Sequence, residues 1–163
     1  MTLDTSTGVV TLDNAADYET QPSYTFDLEA NDGTTTVTQN IVVDINDVNE
    51  APVFTSNATF SAAENQTAIG TVTATDADGD TVTFSVSGSE LAMTSAGVLT
   101  FVSAPDYETK TSYSATVTAS DGTNSTTQDI TVNVTNINDN SPVFTSDASF
   151  SAAENQTAIG TVT

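Results

Sequence analysis

Carboxylates and carboxamides are the side chains in this sequence whose grouping suggests chemistry. Between residues 51 and 140 they stand in five short clusters: Glu64 ahead of an Asn; Asp76, Asp78 and Asp80 around an Ala and a Gly; Asp106 and Glu108 flanking a Tyr; Asp121 before a Gly; and Asn136, Asn138, Asp139 and Asn140 ahead of Pro142. Earlier in the chain Asp17 and Glu19 flank another Tyr, and Asp47, Asn49 and Glu50 precede Pro52. With no Cys and no His, zinc and iron sites of the usual kind are excluded. Oxygen donors alone remain, and they suit hard cations such as calcium. Carboxylates gathered within a few ångström repel by about 1 kcal/mol per pair in water and about 4 kcal/mol at an effective dielectric near 20. A fold that gathers them therefore needs a cation, or leaves that region splayed.

The elements that position these groups read as strands. Val, Ile, Thr, Phe and Tyr recur in short alternating runs, the pattern of half-buried β-strands, and no stretch carries an apolar stripe of helical period. Strands are expected over 58–63, 68–75, 81–87, 90–93, 97–102, 112–120 and 129–136. Val82, Phe84 and Val86 share one face, as do Tyr113, Ala115, Val117 and Ala119, and as do Ile130, Val132 and Val134. Seven short strands with frequent turn signals indicate an all-β, antiparallel sandwich. Antiparallel strands return alternate loops to the same pole, so clusters distant in sequence can converge.

The chain also repeats itself. SAAENQTAIGTVT at 61–73 recurs unchanged at 151–163, an offset of 90 residues. GVVTLDNAADYETQPSY at 8–24 aligns with GVLTFVSAPDYETKTSY at 97–113, an offset of 89. The expected organisation is the C-terminal half of one repeat (1–50), a complete repeat (51–140) and the start of a third (141–163). The complete unit is long enough for a modest core. Residues 1–15 lack a basic start and an apolar core, so Met1 reads as an internal boundary of a longer protein.

The order of AEN, DAD, DYE, SDG and NxNDNxP resembles the cadherin repeat, and the resemblance covers essentially the whole chain. It implies tandem Greek-key, immunoglobulin-like sandwiches with calcium at the junctions between repeats. By that pattern the first junction would use Asp17, Glu19, Asp47, Asn49, Glu50, Asp76, Asp78 and Asp121, with Val48 offering its carbonyl. The second would use Glu64, Asp106, Glu108, Asn136, Asn138, Asp139 and Asn140. There are departures from the pattern. DVNEAP is one residue shorter than the usual linker, Asn136 stands where an Asp is usual, and the chain carries no AEN-type Glu ahead of the first junction and no DAD beyond the second.

The function these features imply is a calcium-rigidified structural and adhesive module, extracellular or at a cell surface. Its partners would be neighbouring repeats and a homophilic or glycan ligand. Scarce basic residues among many Thr and Ser resemble a bacterial surface adhesin. With 22 Asp plus Glu against one basic residue and a net charge of −21, nucleic acid is an unsuitable partner, and no apolar run reaches membrane-spanning length. The rival reading is a carbohydrate-binding accessory module, but no aromatic platform is evident among four Tyr, seven Phe and no Trp. Catalysis is disfavoured, since nucleophilic triads lack their His. DADGD resembles the opening of an EF-hand loop, but Gly79 takes the fourth place, Ser87 the twelfth, and no helices flank it. Asp80 and Asp129 read as plain surface, and Tyr18 and Tyr107 as packing residues.

Overall fold

The computed structural model describes residues 1–163, and it contains strands and turns with no helix. In chain order the strands are β1 (Thr2–Asp4), β2 (Val9–Thr11), β3 (Ser23–Asn31), β4 (Thr36–Asp44), β5 (Val53–Phe54), β6 (Thr59–Ala63), β7 (Ala68–Thr71), β8 (Ala74–Thr75), β9 (Thr83–Val86), β10 (Leu91–Met93), β11 (Val98–Phe101), β12 (Ser112–Ser120) and β13 (Ser125–Thr135).

β5 to β13 form a sandwich. One sheet has the order β6-β13-β12-β9 and the other β10-β11-β7, with β5 and β8 pairing separately. The long hairpin β12–β13 runs in unbroken antiparallel register from Ser112↔Asn133 to Ser120↔Ser125. β6 joins it in parallel, from Thr131↔Thr59 to Thr135↔Ala63. The opening strand of the unit therefore lies beside its closing strand, which requires the chain to cross between sheets as a Greek key does.

Alternation puts the apolar residues of both sheets inward. Ala62, Val117, Ile130, Val132 and Val134 meet Val72, Leu91, Leu99 and Phe101 in one buried cluster. Burying a Val, Leu or Ile side chain contributes about 1.5–3 kcal/mol, and Leu99, Val72, Val117 and Val132 are fully enclosed. Phe101 and Tyr113 close the core edge-to-face across the sheets, 5.0 Å between centroids.

The run expected as one strand over 68–75 is broken in two. After Thr71 the Val72 amide donates to the Gly97 carbonyl at 2.9 Å, and Thr73 receives Thr55 and Ser56 instead. The chain thus leaves one sheet and enters the small β5–β8 pair, a switch that local alternation does not reveal. β13 also begins four residues before the expected 129, because its full hairpin register with β12 continues to the Asp-Gly turn.

Residues 1–50 form two hairpins, β1–β2 and β3–β4, with no fully buried residue. Tyr24, Phe26, Leu28 and Ile41 are half-buried, while Val37, Val42 and Val43 are exposed. Residues 141–163 carry no strand, but they hold a local shape. Thr145 and Ser146 amides donate to the Thr163 carbonyl at 2.8 and 3.1 Å, as Thr55 and Ser56 donate to Thr73 at 2.8 and 3.2 Å. Asn155 and Asn65 share a left-handed backbone, with φ of 62° and 65°.

Candidate metal centre

The two ends of β12 lead to the two groups of acids. The strand starts after Asp106–Glu108 and ends at Asp121, so the hairpin β12–β13 carries them to opposite poles of the sandwich. At the second of these poles Asp121 makes the turn itself: its Oδ1 accepts the amides of Thr123 and Asn124, each at 2.6 Å. Asp32 builds the same turn in residues 1–50 by accepting from Thr34 and Thr35.

The linker preceding β5 docks on that pole. Asn49 Nδ2 donates to Asp121 Oδ2 at 2.9 Å, Asn124 Nδ2 donates to the Asn49 carbonyl at 2.9 Å, and the Glu50 amide donates to Asp78 Oδ2 at 3.0 Å. Asn124 was not anticipated as part of this site, since nothing in the Asp-Gly-Thr-Asn string distinguishes it from another turn residue. These bonds bring the Asp47 carboxylate to those of Asp78 and Glu19, with one oxygen of each lying within 4.8 Å of the others. A cleft of about 370 Å³ opens beside them between residues 16–20, 45–50 and Ala77.

The loop of Asp76 and Asp78 is coiled around its own first carboxylate. Asp76 Oδ1 accepts the amides of Asp78 and Asp80 at 3.1 and 3.2 Å, and Gly79 supplies the left-handed step, φ 79°. That arrangement leaves Asp76 Oδ2 and Asp78 Oδ1 buried with no hydrogen-bond partner. An unpartnered buried carboxylate oxygen is costly. No side-chain cation meets it, because Lys110, the sole basic residue, pairs with Glu90 and stacks over Tyr113.

Charge crowding is visible in the acids themselves. Lost hydration, then the charges of Asp78 and Asp47 and more weakly Asp17, push Glu50 above the usual carboxyl range. Lost hydration followed by the charge of Asp78 does the same to Asp47. Glu19 is lowered most by a hydrogen bond to its own backbone, but desolvation and the charges of Glu50, Asp78 and Asp47 outweigh this and raise it. Asp121 moves down, led by the Asn49 amide. Asp17 also moves down, because it accepts the Thr20 amide and hydroxyl at 3.1 and 2.9 Å and so caps its own turn. Of the eight residues expected at this junction, then, Glu19, Asp47 and Asp78 meet directly. Glu50 and Asp76 stand against them, Asn49 and Asp121 hold the linker, and Asp17 is turned into its own loop.

At the opposite pole Glu64, Asp106 and Glu108 form the second cluster, again with one oxygen of each within 4.8 Å. Glu64 is only 1% exposed. Its Oε2 accepts the Tyr107 amide at 2.8 Å and its Oε1 the Ile137 amide at 2.7 Å, which pins the linker that follows β13. Each carboxylate oxygen keeps a second lone pair for an ion. Asp106 is lowered, first by the Thr109 hydroxyl. Asn136 donates to Glu108 at 3.1 Å, and Asn65 donates to Asp139 at 2.6 Å. Asn65, the Asn of the AEN motif, was not expected at this site; with a left-handed backbone it turns its carboxamide toward the linker. Asn138 and Asn140 are exposed in that linker, outside the carboxylate cluster. Tyr107 packs on the core as expected, while Tyr18 lines the cleft at the first pole.

Known proteins share this architecture. Residues 49–135 match the family model described as bacterial Ig domain. The human cadherin EGF LAG seven-pass G-type receptor 2 is 34% identical over 163 aligned positions, taking in 89% of this chain and 6% of that protein. Human protocadherin-11 X-linked is 34% identical over 159 positions, with 87% of this chain and 12% of that protein covered. The chain thus spans a small fraction of the length of these relatives. Among solved structures, protocadherin gamma B2 extracellular cadherin domains 3–6 superimpose with a TM-score of 0.62 at 27% identity, covering 81% of this chain and 37% of that one. A protocadherin gammaB7 EC3–6 cis-dimer structure gives 0.63 at 27% identity, with the same coverage of each chain. The chain belongs to the bacterial Ig domain family, and its repeat is of the cadherin-like kind.

Proposed function

We propose that this chain is a calcium-binding structural segment of an extracellular or cell-surface adhesive array, divided into repeats at 1–50, 51–140 and 141–163. The observation that carries the reading is the pair of buried, unpartnered oxygens on Asp76 and Asp78, beside Glu19 and Asp47 with no cation side chain near. A calcium ion between repeats would meet those oxygens, neutralise the acids that raise one another, and tie residues 16–20 to the loop of residues 76–80. Asp17, Asn49, Glu50 and Asp121 complete the proposed surroundings. Glu64, Asp106, Glu108, Asn136 and Asp139, with Asn138 and Asn140 from the linker, form the proposed second site.

Extracellular modules of this kind bind calcium in the range of about 0.1–1 mM. The adhesive role rests on kinship with cadherins, and a glycan ligand has no supporting observation. Calorimetric titration with calcium, paired with thermal melts in calcium and in chelator, tests the reading. Ligand at about a hundred times its dissociation constant adds about 2.7 kcal/mol, a melting rise on the order of 10 °C for a domain of this size. The rise should fall sharply when Asp76 and Asp78 are both replaced by Ala. No heat and no rise in the unmodified chain would sink the reading.

A further inference from the structure

Within the complete unit, β12 has an edge that its sheet leaves open. The Val134 amide donates to the Thr111 carbonyl at 2.8 Å, so odd-numbered residues from Thr111 onward turn their backbone groups to β13 and even-numbered ones turn theirs to β9. Thr118 and Ser120 meet β9 there, at Ser85 and Thr83. Ser87 closes the ladder: its amide donates to the Thr116 carbonyl and its hydroxyl accepts the Thr116 amide, both at 2.9 Å. Gly88, with φ 84°, then turns the chain away toward β10 in the other sheet. The amides and carbonyls of Ser112 and Ser114, both exposed residues, are left with no partner in the protein. Open strand edges of this kind are templates for another chain.

A cleft flanks this edge on each side of the sheet. The outer one, about 410 Å³, has Ser87, Ser114, Thr116, Asp129 and Thr131 in its wall. The Thr116 hydroxyl donates to Asp129 Oδ1 at 2.7 Å, and the other carboxylate oxygen takes no bond from the protein. The inner one, about 190 Å³, has Glu90, Val102, Ala104 and Tyr113 in its wall. We propose that the edge at Ser112 and Ser114 is a docking site for an extended, basic segment of another protein, which adds a strand beside β12. Its backbone pairs with the amide and carbonyl of each serine, and its side chains alternate between the two clefts. An apolar side chain opposite Tyr113 enters the inner cleft against Ala104 and Val102, the latter 56% exposed. A Lys or Arg opposite Ser114 enters the outer cleft and crosses that small residue to Asp129, two strands away at about 9–10 Å. Charge decides the kind of partner: with a net −21 and a single Lys, a second copy brings repulsion where a basic segment brings attraction. The carboxylate also recurs in residues 1–50, where Asp27 and Asn40 hold the places of Thr116 and Asp129 and Asn40 donates to Asp27 at 2.9 Å. The acid has changed strand, but the face keeps one. None of the groups assigned to calcium takes part.

The probe is a blocked hexapeptide alternating Lys and Val, titrated into the chain at about 0.15 M salt to screen non-specific attraction. Hydrogen exchange followed by NMR should show the Ser112 and Ser114 amides, fast in the free chain, slowing as the peptide is added. The same peptide with every backbone nitrogen methylated keeps its charge and loses its donors, and it should not slow them. Asp129→Asn should weaken binding roughly two- to fivefold, the worth of an exposed ion pair, with the slowing retained at saturation. Ser114→Pro removes an amide that the ladder with β13 does not use and should abolish binding, its fold checked by unchanged exchange at Val117 and Ile130. These results should be alike in calcium and in chelator, which separates the proposal from the metal reading. Equal binding of the methylated peptide, or unchanged exchange at Ser112 and Ser114, would overturn it. So would slowing of those amides by protein concentration alone, because a second copy would then be the occupant.

Discussion

Glu64 concentrates the residue-scale physics of this protein. A carboxylate that is 1% exposed is tolerated because two backbone amides, from Tyr107 and Ile137, satisfy its oxygens. Glu64→Gln keeps the shape but presents an N–H₂ group to one of those donors. It should cost about 1–3 kcal/mol in chelator, read as a lower midpoint in urea with an unchanged slope; no shift would mean that the buried charge holds nothing. Gly97 is the other constrained position. Its φ is 84°, and a Cβ there would sit 2.3 Å from the Val72 carbonyl oxygen. Gly97→Ala should therefore cost about 1–3 kcal/mol or more from the backbone conformation, with the clash added. Gly122→Ala, at φ 99° with open space around it, carries the conformational cost alone. Equal losses for the two would refute the clash. The acids themselves were legible as a set from type and spacing. Which of them are buried was not, because Glu64 and Glu108 look alike until the β12–β13 hairpin and its linker close over one and leave the other exposed.

At the scale of elements, the same sequence pattern occurs in two settings. Leu99 in β11 is fully buried, whereas its repeat counterpart Val10 in β2 is 40% exposed. Leu99→Ala should cost about 2–5 kcal/mol, and Val10→Ala less than about 0.5 kcal/mol. Comparable losses from both would mean that residues 1–50 share the core. Register shows the same dependence on burial. β10–β11 pairs Met93 with Leu99, but at the corresponding places β1–β2 pairs Asp4 with Val9 instead of Val10. With no opposing sheet to receive one face, nothing penalises a one-residue slip. The strands of the complete unit were foreseen apart from β5, the early start of β13 and the break after Thr71. There a non-local bond from Val72 to Gly97 takes over, and local alternation contains no trace of it.

At the scale of the whole molecule, the first linker decides whether the parts move as one. Asn49, Asn124 and the Glu50 amide already fasten it to the complete unit, while Glu19 approaches Asp78 against mutual repulsion. Calcium should narrow the spread of orientations between residues 1–50 and the sandwich. Small-angle scattering of the chain should show a sharper long-distance tail in calcium than in chelator. Asp78→Ala should erase that difference. An identical profile in all states would leave the junction without a mechanical role.

By itself the amino-acid sequence determined the repeat, the β class, the exclusion of soft-metal and basic-partner chemistry, and the grouping of the acids. All of these follow from residue type and period, which every copy carries wherever it lies. Tertiary structure alone decided which copy of a strand is buried, where β7 gives way to β8, and which oxygens of Asp76 and Asp78 are left without partners. Those outcomes depend on what lies across the sandwich or across the linker. Residues 1–50 and 90–139 carry nearly the same pattern, yet only the copy that has both sheets around it belongs to a core.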